Sequence, residues 1–285
     1  MKRCCITQTH KTRIMRMPGT NKSYNKLYDH RLHDLVTSAY HHFLGTHYTD
    51  PETGEEYDFP GKQPDKFPEA YDYLLGALEM YCHFADTFKE ILLICSQIKH
   101  AQDFALANDE FSTDEILTFS YKNWVIRINT IAEKLFLLAN HIYRLRLSHQ
   151  NLVNEAFMHD RIKCDNNLYL TLLKVADFLY DQVLVNAKTK ALKRSRNEIL
   201  HNGQFSHKLI SSLNRELFFQ SFSERVDPED LYIMEGVTSE KIKHEISDVS
   251  DQFLSRIIPL LDLFADEFDQ VFSLLIGEPK ATATP

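Results

Sequence analysis

The sequence predicts an all-α protein, an antiparallel bundle of long helices, and three observations carry that expectation. Apolar residues recur at alternating steps of three and four over long stretches. Only eight glycines and nine prolines fall in 285 residues, so few points can turn or break the chain. No stretch alternates apolar and polar residues for long enough to predict a sheet. With 44% hydrophobic residues, the chain can bury a sizeable core.

Taken in order, residues 1–23 read as a flexible basic arm, with Lys2, Arg3, Lys11, Arg13 and Arg16 and no acidic residue. One helical domain is expected over 24–276. Its first helix starts near Asn25, carries Tyr28, Leu32, Leu35, Ala39 and Phe43 on one face, and ends at Gly45. Residues 46–67 hold Pro51, Gly54, Pro60, Gly61 and Pro64, together with Glu52, Glu55, Glu56 and Asp58. They read as a long acidic loop insertion. Pro68 suits a first helical turn, and it opens a helix of about eight turns along Tyr71, Leu74, Leu78, Tyr81, Ala85, Phe88, Leu92 and Cys95.

Ser112, with Glu115 three residues on, predicts a capping box. Behind it Leu117, Tyr121, Trp124, Ile128, Ile131, Leu135, Leu138, Ile142 and Leu145 form a second seam of the same period, so these two helices should pack at a shallow angle. A further helix begins after Asp165, with Leu168, Leu172, Val175, Leu179 and Val183 inward. The last runs from about Ser239 to Ile276 through Ile242, Ile246, Val249, Phe253, Ile257, Leu260, Phe264, Phe268, Val271 and Leu275, with a kink expected at Pro259. Residues 277–285 read as a loose tail.

A net charge of −8 argues against a protein coated in nucleic acid, so any such contact should be local. Five cysteines, an odd number without a Cys-x-x-Cys pair, predict no disulfide framework and a reducing cytoplasm. No run reaches the roughly 18 apolar residues that would span a bilayer, and no signal-peptide core is present.

The segment that carries chemistry is Arg196-Asn197-Glu198-Ile199-Leu200-His201. It follows Lys188, Lys190, Lys193 and Arg194, a stretch without an acidic residue. A fixed cation, an imidazole that titrates near neutrality and a basic approach suit a phosphodiester. A second pair at the same spacing, Arg144 and His149, is followed by Leu145 and reads as part of a structural helix. From the residues alone, two bland roles stay open: His201 capping a helix end before Gly203, and Arg196 in a surface ion pair with Glu198.

Arginine, a polar residue, an apolar pair and then histidine resembles the signature of the HEPN family, all-helical proteins that include many RNA-cleaving toxins and defence nucleases. The resemblance implies an HEPN-like bundle with extra N- and C-terminal helices. It implies that His201 transfers protons, that Arg196 stabilises charge, and that Asn197 orients one of them or a phosphate oxygen. Lys188, Lys190, Lys193 and Arg194 would then bind RNA. No metal or other cofactor is called for. The partners implied are the RNA substrate, a second copy in a homodimer with a composite site, and an antitoxin or defence-system protein. The competing reading is a non-catalytic HEPN-like dimer that binds RNA, a nucleotide or a protein; a structural bundle with an accidental motif is the third.

Other candidates are weaker. His30 and His33 share a helix face, and His41, His42 and His47 sit at its end, but the chain has no His-Glu-x-x-His and no paired-cysteine ligand set. Cys82-His83 lies within a packed helix, and Tyr71, Tyr81, Phe88 and Trp124 lie on seams, where core packing is the simpler role.

Overall fold

The computed structural model describes residues 26–49, 56–61, 66–108, 110–148, 152–180, 199, 207–221 and 227–277. In chain order these form α1 (Arg31–Leu44), β1 (Gly45–Thr49), β2 (Glu56–Pro60), α2 (Pro68–Lys99), α3 (Ala101–Ala107), α4 (Thr113–Ile142), α5 (Leu152–Met158), α6 (Asp160–Cys164), α7 (Asn166–Tyr180), α8 (Lys208–Ser221) and α9 (Pro228–Leu275). The all-α architecture expected from the sequence is the one found, with one small hairpin added. A single hydrophobic cluster runs from Leu27 to Phe272.

The first helix begins later than its apolar spacing predicts. Residues 26–28 make one helical turn, the chain bends, and α1 starts at Arg31 with His30 as its N-cap. His30 Nδ1 accepts a hydrogen bond from Leu32 N at 3.0 Å, and its Nε2 lies 3.2 Å from Asp262 Oδ1 on α9. Leu32, Val36 and Phe43 are fully buried, while Leu35 and Ala39 pack at the edge of the core. Gly45 ends the helix at φ 81°, a left-handed value that a side chain disfavours.

Residues 46–67 are not simply a loop. Gly45–Thr49 pairs antiparallel with Glu56–Pro60, in the register Gly45↔Pro60 and Tyr48↔Tyr57. The sequence carries short aromatic and β-branched runs, Tyr48-Thr49 and Tyr57 with Phe59, with the turn formers Pro51 and Gly54 between them in the chain. Five-residue strands are too short for alternation to register against so many turn residues.

Helices α2 and α4 form the most extensive pair. Pro68 occupies the first turn of α2, and α4 opens on the expected capping box between Ser112 and Glu115. All nine expected seam positions, from Leu117 to Leu145, are buried, although α4 ends at Ile142 and Leu145 lies just beyond it. On α2, Leu74, Tyr81, Ala85 and Phe88 are buried as expected, but Tyr71, Leu78, Leu92 and Cys95 are only half-buried. Tyr73, Ala77, Phe84, Ile91, Ile94 and Ile98 take the interior instead, because α2 is covered by α1, α4 and α9 together.

Between α2 and α4, the His141 side chain fills the space that Gly76 leaves open. A Cβ there would collide with the His141 ring, with Nε2 only 2.7 Å away. That imidazole bonds Tyr73 O at 2.7 Å and stacks on the Tyr73 ring at 5.2 Å. Tyr73 Oη in turn donates to Ile142 O at 3.0 Å.

The last helix is longer than expected, running 48 residues, or roughly 72 Å at 1.5 Å per residue. Asp227 caps it, accepting from Glu229 N at 2.9 Å. Its first turns are largely exposed and so leave no apolar stripe to read. Ser239, the expected start, instead lies inside the helix and donates back to Glu235 O at 2.9 Å. The helix continues through Pro259. Pro259 cannot bond the Ser255 carbonyl one turn back, but both residues face solvent, where water can take that role.

Two predictions follow from these contacts. Gly76→Ala gains up to about 1 kcal/mol of helix propensity but must displace the His141 ring, an overpacking cost of about 1–3 kcal/mol. The net effect expected is destabilisation, read as a lower urea midpoint, and His141→Ala should remove it in the double mutant. Burial holds the pKa of His30 below the ordinary imidazole value, against the opposing pull of Asp262, and burial lowers His33 likewise against Asp34. Their contribution to stability is therefore fully present above the unfolded pKa and is lost as pH falls through the lower folded values. His30→Asn keeps a capping side chain and should flatten the loss of stability between pH 7.5 and 5; an unchanged pH slope would place the titration elsewhere.

Candidate functional site

In chain order the Arg196–His201 segment falls between α7 and α8. Arg196, Asn197, His201, Lys188, Lys190, Lys193 and Arg194 lie outside the described residues, as does His149. Ile199, in the middle of the motif, is described: it is helical, half-buried and packed against the hydrophobic core.

Upstream, Asp165 caps the start of α7 by accepting from Leu168 N at 2.9 Å. Leu168, Leu172 and Val175 are buried as expected; the side chain of Leu179 and all of Val183 lie outside the described residues. Toward its C-terminal end, α7 is fastened to α9. Phe178 stacks on Phe253 at 5.0 Å, and the Arg256 guanidinium lies 4.7 Å over the Phe178 ring while donating to Lys174 O at 3.3 Å. Burial raises the pKa of the Asp177 carboxyl in this region, with Arg256 opposing.

Downstream, His207 immediately precedes α8 and its carbonyl accepts from Ser211 N at 2.8 Å in the first turn. Its ring lies 4.4 Å from that of Tyr121 on α4. One carboxylate, Glu245 on α9, serves both: Tyr121 Oη donates to Oε1 at 3.1 Å, and His207 Nε2 lies 3.4 Å from Oε2. Burial first, and then the Glu245 charge, drive the Tyr121 phenol far above its ordinary pKa, so it remains a proton donor. One turn along α4, Trp124 packs edge-on against Tyr121 at 5.2 Å and donates from Nε1 to Ser250 Oγ at 3.2 Å.

Sequence reasoning missed this cluster. Tyr121 was legible only as a core residue, and nothing in the spacing of His207 and Glu245 links them. The only signal available is that His207 lies six residues beyond His201.

Several of the remaining candidates have structural roles. Arg144 is not on a helix: α4 ends at Ile142, and Arg144 and Arg146 take left-handed φ values of 53° and 58°. Arg144 pairs with Glu69 at the start of α2. His30 is a cap, and His33 sits between the rings of Tyr28 and Tyr81, at 5.5 and 5.8 Å. Among the described residues no group of three or more His, Cys, Asp or Glu is arranged to hold a metal ion. Burial raises the Cys82 thiol pKa, the opposite of what a reactive thiolate needs. No helix among the described residues is long and apolar enough to cross a membrane.

A family model described as HEPN_Cthe2314-like HEPN matches residues 75–273, well over half of the chain. The chain belongs to the HEPN family. The HEPN match begins within α2, ends within the last turns of α9 and contains the whole Arg196–His201 motif; α1 and the hairpin lie outside it. HEPN membership is generally associated with ribonuclease activity, and HEPN domains often dimerise and bind RNA. No curated protein and no solved structure matches the chain significantly.

Proposed function

We propose that this protein is a metal-independent endoribonuclease, a toxin or phage-defence effector, acting through Arg196, Asn197 and His201. The observation that carries this reading is the HEPN match across the motif, reinforced by Ile199 packing on the core.

RNA supplies the nucleophile. A neutral His201 imidazole accepts the 2′-hydroxyl proton, and the 2′-oxygen attacks the adjacent phosphorus. The bond to the 5′-oxygen then breaks, and that oxygen takes a proton from an imidazolium. Arg196 offsets the added negative charge on the five-coordinate phosphorus, and Asn197 orients a reacting group. The base and the acid are the His201 residues of two copies facing one cleft, so the active species is a homodimer. Lys188, Lys190, Lys193 and Arg194 lead the RNA backbone to it, and an antitoxin or defence-system protein restrains it.

Single-stranded RNA incubated with the purified protein in excess EDTA should still be cleaved. The 5′ fragment should end in a 2′,3′-cyclic phosphate and the 3′ fragment should begin with a 5′-hydroxyl. DNA, and RNA methylated at the 2′-oxygen beside the cut, should be inert. Fragments with 5′-phosphates, or cleavage that requires added metal, would overturn the mechanism. His201→Ala and Arg196→Ala should each lower the rate by about 10²–10⁴ with helicity and dimerisation unchanged. Arg144→Ala, which breaks the tie to Glu69, should leave the rate within a few-fold of wild type.

A further inference from the structure

We propose that the groove where α3 meets the starts of α4 and α9 is a docking site for a partner protein, filled by a segment that presents apolar side chains beside lysine or arginine. The groove encloses about 480 Å³. Leu106, Phe111 and Tyr232 give it an apolar lining, and Glu110, Glu115 and Glu235 give it charge; among the described residues no basic one lines it. Leu106 is 71% exposed, Phe111 51% and Tyr232 49%. Ile233 and Val237, one turn apart on α9, are exposed as well and continue the apolar surface along the helix.

The walls are fixed by contacts that leave these apolar groups outside. Gln102 Nε2 on α3 donates to Tyr232 O at 2.5 Å. Gly236, one turn further along α9, makes room for that side chain, since a Cβ there would stand 3.1 Å from Gln102 Oε1. Thr113 Oγ1, in the first turn of α4, donates to Glu235 Oε2 at 2.9 Å. Ser112 N and Oγ both donate to Glu115 Oε2 at 2.9 Å, and these bonds hold the Glu115 carboxyl below its ordinary pKa, so it stays ionised. None of the three carboxylates pairs with a Lys, Arg or His among the described residues. A groove with walls already fixed loses little freedom when it is filled.

Apolar residues scattered singly over a surface are ordinary, whereas a continuous patch with a charged rim marks an interaction site. Charge selects the occupant. In a symmetric contact a second copy would set these carboxylates against their own image. Nucleic acid and anionic bilayers carry the same sign as the rim. A cationic, apolar segment meets both features at once. Size points the same way: the five exposed side chains offer roughly 500 Å², short of the roughly 800 Å² that each partner gives to a standard interface. The groove therefore suits a segment and not a whole globular face. This holds whether or not the protein cuts RNA.

Two synthetic peptides test it, both with leucine at helical spacing, one with lysine and the other with glutamate at the remaining positions. Titrated into the full-length protein in a calorimeter, the lysine peptide should bind and the glutamate peptide should not, and binding should weaken as salt rises. Leu106→Ser and Phe111→Ser should each weaken it about 10-fold or more. Glu110→Lys, at an exposed position, should weaken it about three-fold or more and keeps the test valid if an apolar variant loses helicity. Leu274→Ser, 67% exposed at the far end of α9, should change nothing. Equal binding of the two peptides, or Leu274→Ser as damaging as Leu106→Ser, would overturn the proposal. So would a wild-type dimer in sedimentation that Leu106→Ser and Phe111→Ser dissociate, which would give the groove to a second copy. Binding of single-stranded RNA or of phosphatidylserine vesicles that Leu106→Ser abolishes would overturn it as well.

Discussion

At Gly76 the backbone of α2 has no side chain to hold α4 away, and the His141 imidazole occupies that space, bonded to Tyr73 O and stacked on the Tyr73 ring. Because the Tyr73 hydroxyl also reaches Ile142 O, the two helices are fixed both in separation and in register. The third long helix is laid on this frame at two levels. Phe268 stacks on Tyr73 at 5.5 Å, and Ser250 and Glu245 receive Trp124 and Tyr121 further along. Helices α7 and α8 then rest on α9, so the two elements that bracket the motif inherit their positions from one contact. Packed interiors transmit such constraints because they have few voids in which to relax.

Around the motif, apolar and polar contacts divide the labour. The α7 side is held by ring stacking between Phe178 and Phe253, with Arg256 across the ring face. The α8 side is held by a carboxylate shared between a phenol and an imidazole. Dispersion contacts tolerate small slips, whereas a bridged carboxylate defines direction. The directional hold is on the side nearer to His201 in the chain.

Much of the fold was legible because one-dimensional periodicity reports a buried stripe. Every seam residue read on α4 and on the α9 core is packed inward, and the Ser112–Glu115 box opens its helix as its spacing implies. The reading failed where burial comes from more than one side or from none. On α2, three neighbours widen the buried arc beyond a single stripe, so Tyr73, Phe84 and Ile91 were passed over. At the start of α9 there is no stripe at all, and Ser239 imitated a cap. The hairpin was obscured because its strands are shorter than its turn signals. In the site, Arg196, Asn197 and His201 were readable because they are neighbours in sequence, whereas Tyr121 and Glu245 meet across 124 residues. No local pattern encodes such a meeting.

The position of α9 in the chain has a consequence for how the protein is made. Trp124 waits for a partner 126 residues away, and at roughly 5–20 residues per second of synthesis that wait lasts roughly 6 to 25 seconds. Tyr121 and His207 wait likewise for Glu245, and α7 emerges before the surface it stacks on exists. A nascent chain therefore carries α7 and α8 in full before the surface of α9 on which they rest is complete. Translation order thus leaves the first half of the bundle without its longest helix for the first seconds after it emerges.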